Sequence, residues 1–206
     1  VNLAGLIDLV ASEPAVAELL DDARASSVTK ADIAAPEAMR PLLVAALASA
    51  TRPLLLVTST YREAEQLTAS LSSFLSPDAV AYYPAWETLP HERLSPRSDT
   101  VGRRLAVLRR LAGNDELPRP QVVVAPVRAV LQPQVQGLAN LRPVRLVAGQ
   151  DFDIDDVAQA LVDAAYLRVD LVERRGEFAV RGGIVDVFPP TQEHPVRIDF
   201  FGDSIE

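Results

Sequence analysis

Residues 175–203 open with Arg175-Gly176-Glu177-Phe178-Ala179-Val180-Arg181-Gly182-Gly183-Ile184-Val185-Asp186-Val187-Phe188-Pro189-Pro190 and close with Val196-Arg197-Ile198-Asp199-Phe200-Phe201-Gly202-Asp203. Polar and apolar residues alternate on both sides of the Gly-Gly pair. This is the mark of two strands joined by a two-residue turn, where glycine accepts the positive φ such a turn needs. The turn pairs Arg181 with Ile184, Val180 with Val185 and Phe178 with Val187. Side chains alternate along a strand, so Phe178, Val180, Val185 and Val187 share one face, and Ala179, Arg181, Ile184 and Asp186 share the other. The run 196–201 repeats the split: Val196, Ile198 and Phe200 suit a core, whereas Arg197, Asp199 and Phe201 fall on the opposite side.

A phenylalanine beside two arginines admits two readings. The face is solvated, with each exposed ion pair contributing about 0–1 kcal/mol. Alternatively it binds a protein, because interface hot spots favour arginines and aromatics that lose water together and a guanidinium offers a planar fork to carboxylates.

Upstream, apolar periodicity predicts helices over 2–9, 14–23, 37–50, 61–75 and 99–112. The runs 54–58, 80–83 and 122–125 are β-rich and bounded by breakers, as buried parallel strands are. Alternating strands and helices imply a doubly wound sheet. Residues 114–120 read as a loop rich in polar residues and proline, and after a second candidate boundary at 132–142 the pattern changes to an apolar run over 144–147, a helix over 154–165 and three or four antiparallel strands. The expected fold is therefore α/β: a parallel-sheet domain over residues 1–131, then a small α+β domain with an antiparallel sheet over 132–206.

The 175–203 stretch resembles the second domain of the UvrB family of excinuclease components and of the transcription-repair coupling factors (Mfd). A second block, Pro84-Ala85-Trp86-Glu87-Thr88-Leu89-Pro90-His91-Glu92-Arg93-Leu94-Ser95-Pro96 with Ser98-Asp99-Thr100 and Arg103-Arg104-Leu105, is similar to the coupling-factor form. UvrB proteins carry a tyrosine-rich segment and a DNA-inserting hairpin there. A third, Val122-Val123-Val124-Ala125-Pro126-Val127-Arg128-Ala129-Val130, looks like the strand and turn common to both families. The resemblance covers most of residues 50–206 and selects the coupling factors. It implies a degenerate P-loop-like first domain and a UvrA-binding second domain, with contacts at Arg181, Arg197 and Phe201, Asp199 on the same strand, and Arg168 as a further basic position. UvrB proteins have an arginine where this chain has Ala179, which implies fewer contacts here. The resemblance also implies RNA polymerase and DNA as partners through downstream domains, a motor downstream, and a face covered by a carboxy-terminal domain until needed.

Nucleotide binding is not expected. A phosphate-cradling loop needs glycines and a lysine, but the lone lysine, Lys30, precedes Ala31-Asp32, and the segment matching the UvrB motif reads Ala34-Ala35-Pro36-Glu37-Ala38-Met39-Arg40-Pro41. No cofactor, metal or catalytic residue is assigned. Cysteine is absent, and His91 and His194 lack ligands at metal-site spacing. Glu87, Glu92 and Asp99 suit loop and helix capping, with Asp99 as an N-cap. Trp86 reads as a core or inter-domain plug.

Residues 151–206 hold 13 of the 28 acidic residues and only five of the 20 basic ones. A phosphate-binding domain is usually basic, so this segment favours a protein partner. The runner-up is DNA contact through Arg103-Arg104 and Arg109-Arg110, a stripe otherwise read as a solvated helical face. The third reading is a structural or self-associating domain with a strand edge near Glu206. No apolar stretch approaches the roughly 20 residues needed to span a bilayer, and no basic signal-like start is present. A cytoplasmic, monomeric, partial chain of 206 residues is the expectation.

Overall fold

The structure, a computed structural model, describes residues 3–25, 29–50, 53–89, 92 and 94–206. Its helices are α1 (Gly5–Ala11), α2 (Pro14–Ala25), α3 (Arg40–Ala50), α4 (Tyr61–Leu71), α5 (Ser98–Ala112), α6 (Val127–Leu131) and α7 (Ile154–Asp163). Its strands are β1 (Leu54–Thr58), β2 (Val80–Tyr82), β3 (Val122–Pro126), β4 (Leu167–Arg168), β5 (Glu177–Arg181), β6 (Ile184–Val187), β7 (Val196–Phe201) and β8 (Ser204–Ile205). The chain divides into two compact units. One is Val1–Trp86 with Arg104–Ala139, and the other is Glu87–Arg103 with Asn140–Glu206.

The first unit contains a parallel sheet in the order β1-β3-β2, with Leu56 and Tyr82 both level with Val124. The central β3 is buried along its whole length, as its run of valines requires. Its alternate residues serve two cores. Val122 and Val124 pack with Ala45 and Ala48 of α3 and Ala64 and Leu71 of α4, while Val123 and Ala125 pack with Val107 of α5 and Ala129 of α6. Helices on both faces make this the doubly wound layer expected. Thr60 caps α4 by accepting from Glu63 N, and the Glu63 carboxylate reaches back one residue beyond the cap to accept from Ser59 N and Oγ.

Boundaries differ from expectation in several places, among them the helix expected over 37–50, which is a 3-10 turn over Glu37–Met39 before α3 starts, and the helix expected over 154–165, which ends at Asp163. The first helix runs over 5–11 and not 2–9, residue 2 lying outside the described residues. Helix α4 stops at Leu71 because Ser72 and Ser73 form a turn, which lets Phe74 and Leu75 fold back onto the core. Helix α6, absent from the expected elements, starts directly after the proline that ends β3.

The second unit holds a five-stranded sheet in the order β4-β5-β6-β7-β8. The hairpin register matches the sequence reading pair for pair, including Arg181 with Ile184 and Phe178 with Val187. Gly182 takes φ +60°, and a Cβ on Gly183 would lie 2.8 Å from Phe200 O, so the two glycines meet separate demands. The sheet is not wholly antiparallel: β4 runs parallel to β5, with Arg168 level with Phe178. Phe178, Val185 and Val187 form the core with Val157, Ala158 and Leu161 of α7, joined by Ile198 and Phe200.

Helix α7 is started by Asp153, whose carboxylate accepts from Asp155 N at 2.7 Å and Asp156 N at 3.3 Å. Asp153→Ala is expected to lower stability by about 1 kcal/mol, read as an earlier urea midpoint with an unchanged slope; an unchanged midpoint would assign the helix start to packing alone.

Candidate docking face

The face of the second sheet opposite α7 is ordered by its registers into rows. Ala179, Asp186 and Arg197 are level across β5, β6 and β7, and Arg181, Ile184 and Asp199 form the next row. Phe201 lies one step further along β7, level with Ser204 of β8. With strands about 4.8 Å apart and about 3.4 Å per residue, these rows bring Arg181, Arg197, Asp199 and Phe201 onto one side. Arg168 is not among them. Level with Phe178, it falls on the other face of the sheet.

Phe201 is 80% exposed, an unusual state for so large an apolar side chain. Arg197 grips Asp186 with two parallel hydrogen bonds, Nε to Oδ1 at 2.7 Å and Nη2 to Oδ2 at 2.9 Å. The Asp186 carboxyl is thereby held below the ordinary aspartate range, chiefly by the hydrogen bonds from Arg197, against some desolvation and with the nearby charges of Arg197 and Arg181 assisting. The same pair pushes the Arg197 guanidinium upward. Arg181 donates from Nη2 to Asp170 O at 2.9 Å, tying the strand end to the loop after β4. That loop is anchored again by Glu177, whose carboxylate accepts from Glu173 N and Arg174 N and is lowered by those bonds.

Because Asp186 has a depressed folded-state pKa, its pairing contributes stability at and above the ordinary aspartate value of about 3.9 and loses it as pH falls through the lower folded value. Carbon-13 NMR titration of the Asp186 carboxylate is expected to give a midpoint below that of a solvated aspartate, and Arg197→Ala is expected to return it toward the ordinary value. An unshifted midpoint in the parent chain would mean the fork is not held in solution.

Two residues depart from the alternation reading. Ala179, assigned to the open side, is 1% exposed, whereas Val196, assigned to the core, is 44% exposed. Alternation tells which way a side chain points, not what covers it. Leu171, Val172, Pro195 and Val196 line a groove of about 400 Å³ with Arg181, Asp186 and Arg197. Leu171, Val172 and Pro195 did not stand out in the sequence, since all three lie outside strands.

The arginine stripe on α5 is not a solvated face. Arg104 is 1% exposed, lies 4.2 Å from the ring centres of both Tyr83 and Trp86, and donates to Pro84 O. Arg110 is buried and donates to the carbonyls of Pro118 and Asp78. Arg109 pairs with Asp115 at 3.4 Å, and Arg103 remains exposed. Burial of Arg104 and Arg110 removes the continuous basic stripe on which the DNA-contact reading relied. Trp86 belongs to this stack, its backbone also held by Gln132 at 2.7 Å.

Asp99 is not the N-cap either. The helix begins at Ser98, leaving Asp99 in the first turn, where it meets Arg97 at 3.2 Å and still favours the helix dipole. Glu92 does serve its loop, accepting from Leu89 N at 2.7 Å, and Glu87 accepts from the Thr100 hydroxyl. His91 lies outside the described residues, and among those described no three His, Cys, Asp or Glu cluster as metal ligands. No described helix is long and apolar enough to cross a membrane.

Residues 144–206, the part that builds this sheet, match the family model of the UvrB interaction domain. Over 98% of its length the chain is 50% identical to a transcription-repair-coupling factor of Mycobacterium tuberculosis, of which it covers 16%. The Escherichia coli transcription-repair-coupling factor is 34% identical over 75% of the chain, which covers 13% of that protein. A UvrABC system protein B of Streptomyces avermitilis is 34% identical, again over 75% of the chain and 23% of the relative. The chain thus spans about a sixth of the coupling factors it matches, and it is similar to them over nearly all of its own length.

Proposed function

We propose that this chain is a non-enzymatic docking module that recruits the damage-recognition protein UvrA through the open face of its second sheet. The observation that carries this reading is Phe201, 80% exposed on the side that also presents Arg181 and Arg197. Burying a phenylalanine side chain is worth about 1.5–3 kcal/mol, and an unburied one beside guanidiniums has the composition of an interface hot spot. Asp199 adds a charge that fixes orientation more than affinity. Arg168, on the other side of the sheet, contributes only if the partner wraps the β4 edge.

In this reading the docking function resides in residues 132–206. Residues 1–131 are an α/β scaffold that binds no nucleotide. The module works in the cytoplasm, within a protein whose remaining length engages RNA polymerase and DNA and supplies the ATP-driven translocation. Presenting to UvrA a surface shared with UvrB places repair where transcription has stalled.

The test is titration of purified UvrA with the chain, parent against Arg181→Ala/Phe201→Ala, with folding verified by circular dichroism. Absence of binding by the parent, or binding unchanged in the variant, would overturn the reading.

A further inference from the structure

The connection between β4 and β5 is fastened by hydrogen bonds more than by packing. Asp170, Leu171, Glu173 and Arg174 are all exposed. Val169 N donates to Phe178 O, and beyond that bond the ladder between the two strands stops, so the sheet itself does not set where Asp170 lies. Two side chains of β5 do. Glu177 and Arg181 stand four residues apart on the open side of that strand, about 13 Å from each other. Arg181 meets the outgoing limb of the connection, donating from Nη2 to Asp170 O at 2.9 Å. Glu177 meets the returning limb, where its Oε2 accepts from Glu173 N at 2.9 Å and from Arg174 N at 2.8 Å. Those two bonds are the main reason its carboxyl is lowered. Arg175 secures the base: its Nε donates to Gln192 O at 2.9 Å and its guanidinium lies 5.0 Å from the ring centre of Phe188.

Among the described residues, Asp170 O is the single acceptor of the Arg181 side chain. The direction of that guanidinium therefore depends on where the Asp170 carbonyl is held. Asp170 is bracketed by fixed points at Val169 and Glu173, and the short span between them has little slack. We infer that Glu177 is a positioning residue for the docking face: by gripping the 173–174 limb it fixes the Asp170 carbonyl, and through it the direction in which Arg181 is presented. The inference rests on the UvrA-docking reading. An arginine already set in its bound direction has less side-chain freedom to lose on association. Glu177 itself need not touch the partner.

The experiment measures UvrA affinity for the folded chain carrying Glu177→Ala or Glu177→Gln, each with Arg181 intact and with Arg181→Ala. Hydrogen exchange of the Glu173 and Arg174 amides in the free chain reads the grip directly. Glu177→Ala is expected to weaken binding about tenfold, the scale of ordering one long side chain, and to expose both amides to exchange. In the Arg181→Ala background the same substitution is expected to change affinity by less than about twofold, because the group it positions is gone. Glu177→Gln keeps a carbonyl oxygen for both amides and is expected to restore protection and most of the affinity, which separates the two hydrogen bonds from the charge. Equal losses from Glu177→Ala in both backgrounds, a glutamine variant as weak as the alanine one, or unprotected amides in the parent would overturn the inference. Glu177→Ala binding like the parent while Arg181→Ala binds weakly would overturn it and leave the docking face standing. A parent that does not bind, or Arg181→Ala binding like the parent, would overturn the docking of Arg181 as well.

Discussion

Alanine at Arg181 and Phe201 together is expected to weaken UvrA binding by about 100- to 1,000-fold, corresponding to two hot-spot truncations of about 2 kcal/mol each with some non-additivity. Neither side chain has much to do in the free chain. Phe201 is 80% exposed, and Arg181 is exposed with one hydrogen bond to a carbonyl. Stability should therefore stay within about 0.5 kcal/mol of the parent, the usual range for surface positions. Isothermal titration calorimetry supplies the affinity and urea unfolding the stability. Salt separates this mechanism from phosphate binding: a contact anchored by an aromatic persists as ionic strength rises, whereas neutralisation of several phosphates loses orders of magnitude between about 50 and 200 mM salt. A loss below about fivefold in the double variant, or a steep salt slope in the parent, would remove this face from the interaction.

Arg104→Ala is expected to destabilise the first unit by about 3 kcal/mol, although exposed helical arginines usually tolerate alanine. The guanidinium is held between two rings, each contact worth up to about 2 kcal/mol when desolvated, and its bond to Pro84 O adds about 1.5–3 kcal/mol as a charge-assisted hydrogen bond. Part of that sum is offset by the desolvation of a buried charge, which its removal relieves. Truncation, however, also leaves a gap between Tyr83 and Trp86 that the stacked rings cannot close without moving. Arg104→Lys should recover little, since an ammonium has no flat faces to lay on two rings. Urea denaturation followed by far-ultraviolet circular dichroism measures both. A cost under about 1 kcal/mol for alanine would mean that solvent, not the rings, holds the side chain.

The contrast between these two arginine sets explains what was legible in the sequence. On β5 to β7, period-two alternation and a glycine turn determine register, and register alone brings Arg181, Asp199, Arg197 and Phe201 to one side. The doubly wound layer was legible for the same reason, since its strands are short apolar runs between breakers. On α5, spacing shows only that Arg103, Arg104, Arg109 and Arg110 lie near one another on a helix. Whether such a stripe meets water depends on Tyr83 and Trp86 arriving from elsewhere in the chain, and no local periodicity records that. The groove walls escaped notice because Leu171, Val172 and Pro195 sit in connections, where side-chain direction follows no repeat. Arg168 parts from its expected companions because its two-residue strand pairs in parallel with β5, a register the alternation of the hairpin does not reach.

The ring stack around Arg104 also equips the molecule with an optical label. Trp86 is the chain's single tryptophan and belongs to the first unit, while the second unit, which carries the proposed docking face, has Tyr166 and phenylalanines as its aromatic residues. Indole emission therefore follows the stack of Tyr83, Arg104 and Trp86, whereas circular dichroism follows both units. Comparing the two transitions in one sample separates loss of the scaffold from loss of the docking sheet without any added probe.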